Sequence, residues 1–384
     1  MDEQLQDAPH ISAQPPDGSI GISQRDAPPV SYFERKGRKA PLWKPRRIYF
    51  TAAAWEQPHG QRIAERLSAL GLPYERLKGN RLPSFKGKDV RARYRDAKNT
   101  LAIVNAPPSQ LKLQPIPPSA DYQFHLAKGC PAHCQYCYLA GSLPGAPVTR
   151  AYANLDDILT NNAHYLKADG AVTTFEASCY TDPLGLEHLT GSLSRTIAWF
   201  GEQERAHLRW VTKYDDVTPL IELAHNGRVR ARFSLNADWV TRRLEGGTAD
   251  LAARIAAIRR MALPRSQGGG GYKVGAVLAP LMPFEGWQEV YLEMLLDLRE
   301  ALDFEVDLTF ELITHRFTPG SKEVLLEWYP NTSLDLDETQ RSEKRNKFGG
   351  RKYIYRKPDM EALKTWFTEQ IGRLFPEGKV LYFT

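Results

Sequence analysis

From residue 122 onward the sequence alternates short β-rich runs with amphipathic helical stretches six times over, and that repeat leaves few folds open. Candidate strands lie at 122–127, 172–177, 208–213, 230–236, 273–279 and 307–314. Helices are expected at about 156–168, 189–203, 217–225, 248–263 and 286–302, with a last one at 359–375 after a hairpin-like segment. Strand followed by helix, repeated, is the signature of a parallel sheet with crossover helices. Six units fit a partial β/α barrel better than an open sheet, and in such barrels the chemistry sits at the C-terminal strand ends. Ahead of this body, Ile48–Thr51 reads as a strand, residues 59–71 as a helix stopped by Gly71, and Leu101–Val104 as a second strand. The expected class is α/β, divided into a disordered tail and basic linker (1–44), a small β-α-β subdomain (45–118) and the barrel (119–384).

Cysteine placement narrows the chemistry. Of the four cysteines, Cys130, Cys134 and Cys137 fall within eight residues and Cys179 follows alone. A secreted disulfide framework would spread its cysteines along the chain, so this distribution reads as a metal or cluster site. Residues 128–142, KGCPAHCQYCYLAGS, follow the first predicted strand with the spacing C-x3-C-x2-C. Zinc sites close four ligands around the ion, and His133 inside the motif leaves a structural zinc site open on spacing alone. Three thiolates on a four-iron cluster would instead leave one iron free, as a catalytic centre requires.

Composition sets the outer bounds. The chain has 384 residues, 42% hydrophobic and 25% charged, as in ordinary globular proteins. No apolar run approaches a membrane span, and the acidic, Pro-rich start does not resemble a signal peptide, so the cytosol is the expected compartment. Fifty-one Lys and Arg face 45 Asp and Glu, a net charge of +6. Two windows, 34–47 and 341–356, carry +6 each, so the remaining residues sum to −6. In the second window Phe348, Tyr353 and Tyr355 interleave with Lys344, Lys347, Arg351 and Lys352 around a Gly349-Gly350 turn. Cations for phosphates and aromatics for unstacked bases are the composition of a nucleic-acid contact.

The cysteine spacing, with an aromatic before the third cysteine, resembles the radical S-adenosylmethionine superfamily. CQYCYL (134–139), FEASCYTD (175–182), WVTKYDDV (210–217), HNGRVRARFSLNAD (225–238), LAPLMPFEGW (278–287), FELITHRFT (310–318) and KYIYRKPD (352–359) together resemble its spore photoproduct lyase branch, from about Pro45 to Thr384. The resemblance implies a [4Fe-4S] cluster on Cys130, Cys134 and Cys137 that cleaves S-adenosyl-L-methionine to a 5′-deoxyadenosyl radical. That radical would take hydrogen from C6 of the dihydrothymine half of 5-thyminyl-5,6-dihydrothymine, so that the methylene bridge breaks. It further implies Cys179 as hydrogen-atom donor, Tyr136 and Tyr138 as relays, Lys213 and Ser234 as cofactor contacts, and Thr181 and Asp182 near cofactor or lesion. Glu311 and His315 are expected as a charged pair at the mouth.

UV-damaged DNA, extruded from its stack and held by the 341–356 hairpin, is the implied partner, with an electron donor of the flavodoxin or ferredoxin type. Three departures stand out: Thr181 where a serine is common, Arg345-Asn346 where Trp-Gly is usual, and the acidic tail with the Gly268–Gly271 run. They suit a relative from a bacterium that does not form spores, in which the lesion can differ. The alternatives are a radical S-adenosylmethionine enzyme acting on another base or a peptide, and a nucleic-acid-binding protein with a structural cluster.

Overall fold

The computed structural model describes Tyr32 and residues 37–85, 87–141, 145–345 and 349–384. The expected tail and Lys347 lie outside the described residues. Seven parallel strands, β1 (Ala120–Phe124), β2 (Thr173–Ala177), β3 (Ala206–Thr212), β4 (Val229–Leu235), β5 (Lys273–Leu281), β6 (Leu308–Thr314) and β7 (Lys379–Phe383), curl into a half-barrel in chain order. Gln114–Ile116 adds an antiparallel eighth strand beside β1. All six expected strands are present, the first displaced two residues toward the N-terminus. The closing LYFT was not expected as a strand, yet it carries β7 against β6. Among the described residues no helix is long and apolar enough to cross a membrane.

Side-chain alternation explains the curl. Phe175 and Ala177 flank Glu176, Leu208 and Trp210 flank Arg209, Ala231 and Phe233 flank Arg232, and Phe310 and Leu312 flank Glu311. A period of two sends the apolar set to one face of the sheet and the ionic set to the other. On the ionic face Arg232 bridges Glu176 at 2.7 Å and Glu311 at 2.8 Å, and Arg209 also pairs with Glu311. The Ser119 and Tyr382 hydroxyls donate to Glu176 and Glu311 respectively. Two cations thus balance two carboxylates in a buried site, where any single partner left over would be costly.

The crossover helices depart from their expected bounds for local reasons. The helix expected at 189–203 splits into Glu187–Thr190 and Ser192–Glu202 at Gly191, which holds φ 63°. Residues 248–263 become Leu251–Ala262 because Asp250 caps the helix, accepting from the Ala253 amide at 2.9 Å. The helix expected at 217–225 is a correction: only one tight turn, Thr218–Leu220, forms. The preceding residues are committed elsewhere, since the Lys213 amide donates to Asp182 and Asp215 accepts from the Ala40 amide.

A second, five-stranded sheet runs in the order Glu75–Arg76, Arg47–Phe50, Thr100–Val104, Thr149–Tyr152, Ala127–Lys128. Its last two strands bracket the cysteine loop, which leaves at Lys128 and returns at Thr149. The helix Val90–Lys98 runs into Thr100–Val104 and reaches the loop from that sheet. The loop is therefore held between sheet and half-barrel.

Replacing the hub of the ionic face, Arg232→Met, leaves Glu176 and Glu311 short of their shared cation. We expect a loss of about 3–5 kcal/mol in urea unfolding. A loss below about 1 kcal/mol would show that the two carboxylates do not depend on Arg232.

Candidate active site

The cysteine loop opens at Gly129 with φ 82°, and a Cβ there would lie 2.5 Å from the Val148 carbonyl oxygen. Only glycine fits, because the loop's outgoing and returning strands close on each other at this point. Cys134 is buried, Cys130 and Cys137 are half-buried, and all three are free thiols. Lys98 donates through Nζ to the carbonyls of Cys130 and Ala132, and His133-Cys134 pairs antiparallel with Glu245-Gly246. His133 Nδ1 lies 3.0 Å from the Tyr94 hydroxyl, which commits it to the loop wall. Among the described residues no three His, Cys, Asp or Glu side chains converge as around a single metal ion. Three free cysteines on one loop, with His133 turned to Tyr94, would suit a multi-iron cluster, whose irons each take one thiolate.

Cys179 follows β2 directly. Ser178 before it holds φ 65°, an uncommon conformation for a non-glycine residue, and is fixed by its amide on Phe124 O (2.7 Å) and its hydroxyl under the Leu126 amide (3.1 Å). The chain thereby turns out of the sheet with Cys179 at the mouth, where Tyr138 donates its hydroxyl to the Cys179 carbonyl. Burial first, and then the hydrogen-bonded Glu176 carboxylate, push the Cys179 thiol far above its ordinary range. The group stays S–H, which is the form a hydrogen-atom donor requires.

Tyr136 goes elsewhere. Its hydroxyl donates to Glu245, a buried carboxylate that also pairs with Arg254 and, at 3.4 Å, with Lys213. Burial pushes the Glu245 carboxyl up, but Arg254 and Lys213 outweigh it and hold the group below its usual value. Lys213 Nζ lies 2.5 Å from Ser234 Oγ and 5.5 Å from the Tyr136 ring. Asp182 accepts from Thr212 Oγ1 and the Lys213 amide, each at 2.7 Å, and from the Gly185 amide. Its pKa is nonetheless raised, burial outweighing those bonds. Among the described residues Thr181 Oγ1, a buried atom, has no hydrogen-bond partner, an orphaned hydroxyl between Cys179 and Asp182 in sequence. The structure thus brings Tyr138 to Cys179, and gathers Tyr136, Lys213 and Ser234 around Glu245.

Residues Arg341–Arg345 and Arg351–Tyr355 form the expected antiparallel hairpin. Lys344 sits directly opposite Lys352, two like charges on one face. Burial, then Arg316 and Lys344, lower the Lys352 pKa, so the pair is poised for an anion. Arg351 lies 3.8 Å from Glu343, and Tyr353 packs on Phe317 with ring centroids 5.4 Å apart. Arg341 is buried at the hairpin base, 3.8 Å over the Tyr355 ring and paired with Asp335, so its charge does not reach solvent. Glu311 and His315 are not a pair: Glu311 belongs to the ionic face, and His315 Nδ1 lies 3.4 Å from Arg341.

Sequence reasoning passed over Glu176, Glu245, Lys98 and Tyr94. A glutamate inside an apolar strand run was a usable signal for Glu176, since a buried strand carries a carboxylate only when something pairs it. Nothing local marks Glu245, whose partners lie as far as 109 residues away in sequence.

A family model described as spore photoproduct lyase matches residues 43–384. The spore photoproduct lyase of a Geobacillus species is 40% identical over 345 residues, spanning 88% of this chain and 98% of that relative. That of Bacillus subtilis is 39% identical over 344 residues with the same coverage. A mutant spore photoproduct lyase with bound AdoMet and dinucleoside spore photoproduct superposes with a TM-score of 0.83 at 38% identity, covering 90% of this chain and all of the other. A spore photoproduct lyase complexed with dinucleoside spore photoproduct gives 0.82 at the same identity and coverage.

The hairpin base carries a pH dependence. Burial and then Arg341 lower the His315 pKa to about 3, below the unfolded value of about 6.5. The unfolded chain takes up this proton first, so the stabilisation is complete above the unfolded value and is lost as pH falls toward 3. A His315→Gln variant is expected to show a shallower fall in urea midpoint between about pH 6 and pH 4. Equal slopes would remove His315 from the acid response.

Proposed function

This chain belongs to the spore photoproduct lyase family, and on that premise we propose a specific division of labour for its repair of the thymine photoproduct 5-thyminyl-5,6-dihydrothymine as a radical S-adenosylmethionine lyase. The observation that carries the proposal is Cys179, a half-buried thiol held as S–H at the barrel mouth, its carbonyl met by Tyr138 of the cysteine loop. Cys130, Cys134 and Cys137 would hold the [4Fe-4S] cluster, with Lys213 as the cation for the methionyl carboxylate of S-adenosylmethionine and Ser234 as its hydroxyl partner. The orphaned Thr181 hydroxyl and Asp182 complete the polar wall. Bound there, cluster and cofactor would supply the 5′-deoxyadenosyl radical chemistry that removes hydrogen from C6 of the dihydrothymine half. Once the methylene bridge has broken, Cys179 gives its hydrogen atom to the thymine radical and is left as a thiyl. Tyr138, whose hydroxyl donates to the Cys179 carbonyl, would return a hydrogen atom to that sulfur, and the atom removed at the start would be handed back to the tyrosines from 5′-deoxyadenosine. Tyr136, fixed on Glu245, is the second relay, next to the cofactor contacts rather than the donor. Glu176 and Glu245 act as positioning residues, one for the thiol and one for Lys213 and Tyr136. The substrate is damaged DNA, the compartment the cytosol, and the reductant a flavodoxin- or ferredoxin-type protein.

The test is anaerobic incubation of reconstituted protein, dithionite and S-adenosylmethionine with the dinucleotide photoproduct, followed by chromatography. Thymine dinucleotide is the expected product, and its absence would remove the lesion assignment. Cys179→Ala should still consume photoproduct, with the yield of clean thymine product down about tenfold or more. An undiminished yield would sink the donor role.

For duplex binding, Lys344→Gln/Lys352→Gln should shallow the log–log salt slope by about 2, one unit per phosphate contact. Arg351→Gln, its charge shared with Glu343, should change it less. A slope unaltered by the double substitution would take the hairpin out of the DNA interface.

A further inference from the structure

Reductive cleavage of S-adenosylmethionine needs one electron to start the reaction, and the structure offers a place for it to enter. We propose that the outer face of the helix Val90–Lys98 is the docking surface of an acidic one-electron carrier protein, whose electron crosses this helix to the cysteine loop. The inference rests on the cluster assignment above.

The helix has two faces with different business. Its inner face is the wall of the cysteine loop: Lys98 holds the carbonyls of Cys130 and Ala132, and Tyr94 holds His133. Away from the loop it exposes Arg91 and Arg95, which share one face at i,i+4, with Arg93 exposed on the opposite flank and Lys88 exposed just before the helix. Among the described residues none of these three arginines has an ion-pair partner, and the one acidic residue within the helix, Asp96, is taken by Arg47. Asp89 is spent as the N-cap, accepting from the Ala92 amide at 2.7 Å. Unpaired arginines on a rigid helix form a field that steers an anionic partner and sets its on-rate.

A packed aromatic path leads to the loop beside this helix. The half-buried Trp328, at the end of the neighbouring helix Pro319–Trp328, stacks on Tyr94 at 4.5 Å between centroids, and Tyr94 meets His133 at 6.0 Å. A partly exposed ring is thus connected to the cysteine loop through Tyr94 and His133. The step is simple in its balance: the carrier is oxidised by one electron, the cluster is reduced by one, and no bond or proton changes at the surface.

Phosphates would also suit arginines, but the geometry favours a protein donor. Residues 130–133 of the loop meet this helix, whereas Tyr138 meets Cys179, where the lesion must lie. An electron arriving through the helix does not have to cross bound DNA, so both partners fit at once. The hairpin, with Lys344 facing Lys352, already supplies a cationic surface for the nucleic acid.

The experiment uses the full chain, reconstituted, as wild type and as Arg91→Glu/Arg93→Glu/Arg95→Glu. Binding of a plant-type ferredoxin is measured at several salt concentrations, and 5′-deoxyadenosine formation is followed with that reduced ferredoxin and, separately, with dithionite. The triple variant should bind ferredoxin about tenfold or more weaker, with a shallower salt dependence, and lose ferredoxin-driven turnover to a similar extent. Its dithionite-driven rate and its affinity for duplex DNA should be unchanged. Unaltered ferredoxin binding would overturn the docking surface. Weakened DNA binding with ferredoxin unaffected would also overturn it, reassigning the face to nucleic acid. Failure of the wild type with dithionite would instead strike the cluster assignment, and the binding measurement, which needs no turnover, would still decide the docking surface.

Discussion

One buried carboxylate ties the active site together. Glu245 accepts the Tyr136 hydroxyl, pairs with Arg254 and Lys213, and through its backbone joins a ladder with Cys134. Its exposure is 2%, so each of those contacts acts in a medium where an unpartnered charge is not tolerated. The cysteine loop, Lys213 and Tyr136 are consequently held by a single group rather than by three independent ones. Arg254 itself is anchored by the Ala249 and Ser234 carbonyls, which extends the same hold into β4.

A second hub, Arg232, does for Cys179 what Glu245 does for the cysteine loop. It fixes Glu176, and Glu176 in turn meets the Cys179 thiol. Both hubs lie on or beside the concave face of the half-barrel, where strand alternation has placed charged residues against one another. An open rim with a polar interior is what distinguishes this sheet from a closed barrel filled with aliphatic layers.

Much of the fold was legible because its signals are local. Strand runs, crossover spacing, the two hairpin strands and the cysteine triplet each occupy a few consecutive residues. The failures came where a distant partner overrides the local pattern. Residues 217–225 have helical spacing but form a single turn, because Asp215 and the Lys213 amide are engaged with Ala40 and Asp182. Arg341 counts as a surface charge in the sequence and is buried under Tyr355 in the fold. Glu311 and His315 look like neighbours along β6, yet Glu311 faces Arg232 across the sheet while His315 lies against Arg341.

The sequence by itself determined the repeat of strand and helix, the three thiols that define a cluster site, and the basic hairpin, since each depends on residue type at short spacing. Only the tertiary structure decided how those parts work on one another. Tyr136 and Tyr138, one residue either side of Cys137, go to different partners, and the helix Val90–Lys98 becomes the wall between the cysteine loop and an arginine face. The physical reason is that a buried charge or hydroxyl must be satisfied by whatever the fold brings near it, and that partner lies most often far away in sequence.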